Sequence, residues 1–313
     1  MCRRLPEAVS NMETSSFSRF VLSLGITAAI LPACSAFPTT TVTPRSVPHI
    51  ARRTASTALL YVVGGGVYII SYPKGQLIGT ITNIRDPQGA CSDKNGNVFI
   101  TAYITENVLE YAHGGTTPIA KLEDFGYYPL GCAVDPTTGN LAVANQAGMG
   151  GAGGNVAIYT NAKGKPTYYN TYNSAWCAYD QHGDLFVVST GGSLSEMPAG
   201  SKSFIPISLS VSGQGIQWDG QYLALVNPSS KVVYRVAISG SSGTVVATVK
   251  FSGLIQSLGY DFLLIGKSIV MPFALKQFYF LKIGVWDYPH GGNVEKTIHP
   301  SGGGNYYSLT LSV

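Results

Sequence analysis

The chain has 313 residues and a formal net charge of +4, from 20 Lys and Arg against 16 Asp and Glu. Only 12% of it is charged, half the share of roughly 25% usual in soluble domains, while Gly (37) and Tyr (19) are abundant. This composition excludes a helical bundle, a coiled coil and a charged disordered chain, and the length allows one large β domain or two ordinary ones.

The charge excess lies at the start. The first 57 residues hold six arginines (Arg3, Arg4, Arg19, Arg45, Arg52, Arg53) and two acids (Glu7, Glu13), and from Ala58 onward 14 basic and 14 acidic residues cancel. A phosphate-binding groove needs clustered Lys and Arg on the folded part, so no nucleic-acid partner is expected. Phe20 to Pro32 form an apolar run of 13 residues behind Arg19. That is too short to span a bilayer and suits the h-region of an export signal, here residues 1–33. The run ends in Leu31-Pro32-Ala33-Cys34, which resembles a bacterial lipobox and implies acylation of Cys34. The product is then anchored to a membrane facing outside the cytoplasm, durably so with more than one acyl chain. Secretion after cleavage behind Ala36 is the alternative, and Met12 an alternative start. Residues 34–57, rich in Thr, Ser, Pro and Arg, read as a solvated tether.

From residue 58 to 313 the chain repeats. Gly89-Ala-Cys-Ser-Asp93, Gly131-Cys-Ala-Val-Asp135, Trp176-Cys-Ala-Tyr-Asp180, Gly215-Ile-Gln-Trp-Asp219 and Ser257-Leu-Gly-Tyr-Asp261 align on their last residue, about forty apart. Three of them lead through Gly-Asn or Gly-Asp into GNVFITAY, GNLAVAN and GDLFVVS; the fifth unit shortens the turn (DGQYLALVN), and the next is degenerate (KSIVMPF). Third strands such as NVLEYAHGG and KVVYRVAISG follow, then fourth strands such as PIAKLED. Leu59–Gly64, Gly66–Pro73 and Leu77–Ile84 supply three strands before the repeats, and Tyr306–Ser312 one after them. The pattern predicts an all-β, six-bladed propeller of four-stranded antiparallel blades, with the C-terminal strand completing the N-terminal blade so that no sheet edge is left open.

Gly131 to Asn145 (GCAVDPTTGNLAVAN) is similar to the NHL repeat, whose wider relatives are six-bladed lactonases of the gluconolactonase and SMP-30 type. That resemblance implies an axial divalent metal held by a first-blade Glu, two Asn and an Asp. Asn145 and Asn227 match the amide ligands, but LLYVVG carries no Glu, and Tyr103, Ser189 and Pro272 stand at the other second-strand ends. Two amides bind a hard cation weakly. No catalytic residue, metal or cofactor is therefore assigned, and a metal-dependent lactonase or lyase with a degenerate site is the alternative reading.

The repeated Asp-x-x-Gly-Asn reads as a hairpin turn, since Ile104 stands where a calcium loop needs its bidentate Glu. Gly148 to Gly153 fits a dinucleotide loop by letter but lies between strands, and His113, His182 and His290 fall in turns. Cys132 and Cys177 align in neighbouring innermost strands and could bridge if their Cα atoms lie within about 7 Å; Cys91 is one position off and is expected to face away. The loops at the ligand-binding end of a propeller offer Tyr103, Tyr127, Tyr128, Asn145, Gln146, Trp176, Gln214, Gln217, Asn227 and Asn305. Aromatics and amides with little charge suit stacking on sugars or gripping a peptide. The expected function is a monomeric binding module for a protein or glycan of the cell envelope.

Overall fold

Each short apolar run closed by a turn glycine becomes one strand. A computed structural model describes residues 57–253, 255–275, 282–300 and 305–313; the signal, Cys34 and the tether up to residue 56 lie outside them. β1 (Leu59–Val63), β2 (Val67–Ser71) and β3 (Leu77–Ile81) form the first sheet. The second is β4 (Pro87–Ser92), β5 (Val98–Ala102), β6 (Asn107–Tyr111) and β7 (Ala120–Glu123). β8 (Tyr127–Val134), β9 (Leu141–Gly148), β10 (Asn155–Tyr159) and β11 (Thr167–Asn170) make the third. The fourth comprises β12 (Ser174–Tyr179), β13 (Leu185–Ser189), β14 (Leu194–Met197) and β15 (Ile205–Ile207).

A longer hydrogen-bonded path follows. It contains β16 (Gly215–Trp218), β17 (Leu223–Asn227), β18 (Val232–Ser239) and β19 (Ser242–Phe251), then β20 (Ser257–Leu258), β21 (Leu263–Ile265), β22 (Ser268–Ala274), β23 (Lys282–Asp287) and β24 (Gly291–Ile298). Its two groups of strands meet only where β19 runs parallel to β24, at Lys250↔Gly291 and Phe251↔Gly292. β25 (Ser308–Ser312) returns to pair antiparallel with β1, from Leu59↔Ser312 to Val63↔Ser308.

The core lies in the gaps between successive sheets. Leu141 and Val143 of β9 pack with Phe99 and Val108 of the second sheet, while Ala142 and Ala144 pack with Leu185 and Val187 of the fourth. Both faces of a sheet are thus dry, so strands such as LLYVV, VFITA and LFVVS are buried at every residue. Similar clusters fill the gaps between β16–β19 and β20–β24, and between β22–β23 and the first sheet.

The first strands of the units crowd together, which explains the repeat's glycine. A Cβ on Gly89 would meet the Leu130 carbonyl oxygen at 2.1 Å, one on Gly131 the Trp176 ring at 2.6 Å, and one on Gly215 the Tyr260 carbonyl oxygen at 1.8 Å. The repeated Asp closes its turn in four units. Asp93, Asp135, Asp180 and Asp219 each accept backbone N–H groups two to four residues on, with Gly96, Gly139, Gly183 and Gly220 at positive φ. Asp261 does not: its turn lies further on, between β21 and β22, and the Asp sits in the break between β20 and β21.

The cysteines correct the sequence reading. Cys91 is bonded to Cys132, with Cα atoms 5.6 Å apart, and Cys177 is a buried free thiol. A bridge between stacked sheets needs one side chain pointing forward and one pointing back, hence positions of opposite parity in the repeat. Cys132 and Cys177 share a parity and both point back, toward Phe99 O and Ala142 O of the preceding sheets. Cys91, one position off, is the residue that faces forward.

Candidate functional site

The first strands of the units border two cavities. One, about 390 Å³, lies near their starts and is lined by Gln88, Leu130, Ala175, Trp176, Thr190, Gln214, Tyr260 and Tyr307. Its lining carries no carboxylate and no basic side chain. In four of the five aligned units the residue before the glycine position reaches this space: Gln88 before Gly89, Leu130 before Gly131, Ala175 before Trp176, Gln214 before Gly215. Trp176 stands where other units have glycine, and its ring closes over Gly131. Flat, amphipathic rings beside amide groups can stack on a sugar face or hold a peptide while bonding its polar edges.

The other cavity, about 410 Å³, is lined by Cys91, Cys132, Cys177, Trp176, Gln217, Trp218, Asp180, Asp261 and Thr310 among others. Asp261 is buried, and its carboxylate accepts from Ser308 Oγ (2.5 Å), Phe262 N (2.8 Å), Leu309 N (3.4 Å) and the Gln217 side chain. Burial outweighs these donors and pushes its pKa up to about 7. Burial, with Asp261 nearby, pushes the Cys177 thiol up to about 12, so it is a poor nucleophile. Among the described residues no group of three or more His, Cys, Asp or Glu side chains converges as a metal site.

The structure separates the ring of residues expected from the sequence. Trp176 borders both cavities and Gln217 the second. Tyr103 and Tyr128 stack at 4.9 Å, and Tyr103 Oη bonds Gln146 Oε1 at 3.1 Å; this pair adjoins Leu130 at the start of β8. Tyr127 leans on Tyr168 with ring centroids 4.8 Å apart. Asn145 is fully buried and donates to Asp124 Oδ1 and Asn155 Oδ1. Asn227 donates to Ser212 O and accepts from Ser230 N, holding the loop after β17. The Asn305 carbonyl packs against Gly64. Sequence reasoning passed over Gln88, Tyr260 and Tyr307. For Gln88 the signal was present: it is the position before the repeat's glycine. Tyr307 holds the matching place before β25, which carries no repeat motif.

No family model and no curated protein matches the chain. Solved structures do. The laminin/nidogen complex structure aligns over 82% of this chain and 98% of the matched one, at 13% identity and a TM-score of 0.64. A Bacteroides caccae protein of unknown function aligns over 82% and 99%, at 12% identity and a TM-score of 0.63. At such identities the likeness speaks for the fold alone, and with the four-stranded sheets it makes this chain an all-β protein of propeller type.

Proposed function

We propose that the chain is an exported binding module, a six-bladed propeller related to the NHL type, that takes a protein or glycan ligand at the start-side mouth of its axial channel. In this reading β16–β19 and β20–β24 are two blades in light edge contact through four residues, and the β25–β1 pairing closes the ring. The observation that carries the function is the uncharged mouth built from Trp176, Tyr260, Tyr307, Gln88 and Gln214, whose chemistry suits stacking and amide hydrogen bonds rather than polarising water. The Cys91–Cys132 disulfide accords with an oxidising compartment, and acylation of Cys34 would hold the module at a membrane surface.

The test is a panel of soluble envelope oligosaccharides and peptides titrated against the purified chain. Trp176→Ala should weaken the best ligand about tenfold or more, as loss of a central aromatic anchor does, with the thermal transition retained. If ligands bind equally well to the variant, the mouth is not the site. Intact-mass analysis of the membrane-extracted protein should find an acylated N-terminal Cys34.

A further inference from the structure

Loops at the mouth end of the second and third sheets carry large apolar side chains that the fold leaves uncovered. Ile104, between β5 and β6, is 51% exposed, and Phe125, between β7 and β8, 69%. Met149, just after β9, is 57% exposed, and Tyr172, between β11 and β12, 78%. Backbone bonds hold the first three loops side by side: Asp124 N donates to Glu106 O (2.8 Å), and Met149 N to Gly126 O (2.8 Å). Met149 rides on a turn whose Gly150 and Gly151 hold positive φ, with nothing within 4 Å of either Cβ position, so the turn stands clear of the sheet. Apolar side chains exposed together in this way mark an interaction surface.

The strip joins the mouth at both ends. Tyr103 N, next to Ile104, donates to Asp86 O (3.1 Å), and Gln88 of the mouth donates to Asp86 Oδ1 (2.8 Å). At the other end Thr190 N, in the mouth wall, donates to Asn173 O beside Tyr172 (2.9 Å). The repeat itself does not call for these side chains. The corresponding second-to-third-strand turns of later units are small and polar, Thr190-Gly191-Gly192-Ser193 between β13 and β14 and Pro228-Ser229-Ser230-Lys231 between β17 and β18.

A ligand must match both the strip and the mouth. Ile and Met side chains present no flat face to a sugar ring and gain by packing against other apolar side chains. The four loops carry no Lys or Arg to hold anionic lipid headgroups, and the Glu106 carboxylate is engaged by Gly126 N (2.9 Å). The mouth is uncharged and rich in amides, which suits a ligand with polar backbone groups of its own. A polypeptide offers apolar side chains and amides along one chain. We propose that the ligand of the mouth is an uncharged, apolar segment of a partner protein, which seats side chains on Ile104, Phe125, Met149 and Tyr172 and continues into the mouth. The proposal rests on the mouth as the binding site and adds the class of ligand that it takes.

The experiment selects a displayed library of random 12-residue peptides on the full chain and titrates the strongest synthetic peptide by calorimetry. Soluble oligosaccharides and phosphatidylcholine vesicles are separate arms. The selected sequences should be rich in Leu, Ile and Phe and poor in charged residues. Phe125→Ser and Met149→Ser should each weaken the peptide about tenfold, as should Trp176→Ala in the mouth. Ile78→Ser, an exposed apolar position on β3, should leave the affinity unchanged. Thermal melts confirm that each variant is folded. If Trp176→Ala weakens the peptide while Phe125→Ser and Met149→Ser do not, the mouth remains the site and this proposal falls. If Trp176→Ala has no effect, the mouth reading and the proposal fall together. Failure to select a saturable peptide, saturable binding of oligosaccharides alone, or vesicle binding that Phe125→Ser abolishes would also overturn it.

Discussion

At the residue scale, parity within the repeat decides which side chains of adjacent sheets can meet. Counting back from the repeated Asp places Cys91 at the second position and Cys132 and Cys177 at the third, so a sequence reader sees two aligned cysteines and one that is out of phase. Alignment is a poor guide to bonding here, because equivalent residues face the same way from one sheet to the next and never each other. The observed pair follows once facing is considered. Ala133 bears to Cys177 the relation that Cys91 bears to Cys132, and it packs against the cluster that contains Cys177. Ala133→Cys should therefore form a second disulfide with Cys177, detectable as loss of the Cys177 thiol, the one free thiol among the described residues. It should raise stability by ~2–4 kcal/mol, less whatever geometric strain it adds. A variant with two free thiols under oxidising conditions would show that the facing argument fails. The same facing argument explains why Asn145 was a poor candidate from sequence: its place at a second-strand end is legible, but its burial against Asp124 depends on the neighbouring sheet.

At the element scale, the repeat was readable wherever turn and strand kept their spacing, and failed where they did not. Four aligned aspartates close turns, but the fifth is displaced because its hairpin reverses at Gly266-Lys267, after an interrupted strand. Nothing local in Ser257 to Asp261 announces that shift. Its consequence is long-range: freed from turn duty, Asp261 grips β25 through Ser308 and Leu309, and Ser308 Oγ accepts in turn from Ala90 N of β4 (3.0 Å). Ser92 Oγ adds a bond to Leu311 O (2.7 Å). The last strand is thereby tied to three neighbours at once. Deleting residues 308–313 would strip the ladder from β1, whose five residues are all buried, and leave an apolar edge open to other chains. The expected loss is ~5 kcal/mol or more, most of a domain's margin, seen as a collapsed or absent cooperative melt with rising light scattering. An unchanged melting transition would mean that β25 is an accessory strand rather than an integral part of the first sheet.

At the scale of the whole molecule, its buried acids set how stability varies with pH. Asp261 is pushed up to about 7 and Asp124 to about 6, in both cases chiefly by burial, against an unfolded value near 4. Between those limits the folded chain holds protons that the unfolded chain has released. Their contribution to stability is complete below about pH 4 and is lost as pH rises through 6 and 7. Asp135 and Asp219 act in the opposite sense: the hydroxyls of Thr138 and Thr137 and the Arg235 guanidinium hold them below the usual carboxylate range. What they contribute is present above about pH 4 and disappears only in stronger acid. The two windows barely overlap, so the folded state should be most stable in mild acid. The urea midpoint should fall from pH 5 to pH 8, with a slope of at most ~1.4 kcal/mol per pH unit for each buried carboxyl. Between pH 5 and 6 both acids contribute to the fall, and above pH 6 chiefly Asp261, so Asp261→Asn should roughly halve the fall between pH 5 and 6 and nearly flatten the curve between pH 6 and 8. A midpoint that climbs toward pH 8 in the parent chain would instead require that Asp261 be ionised and fully stabilised by its four donors. The Ser308 end of that network would then be the main electrostatic support of β25.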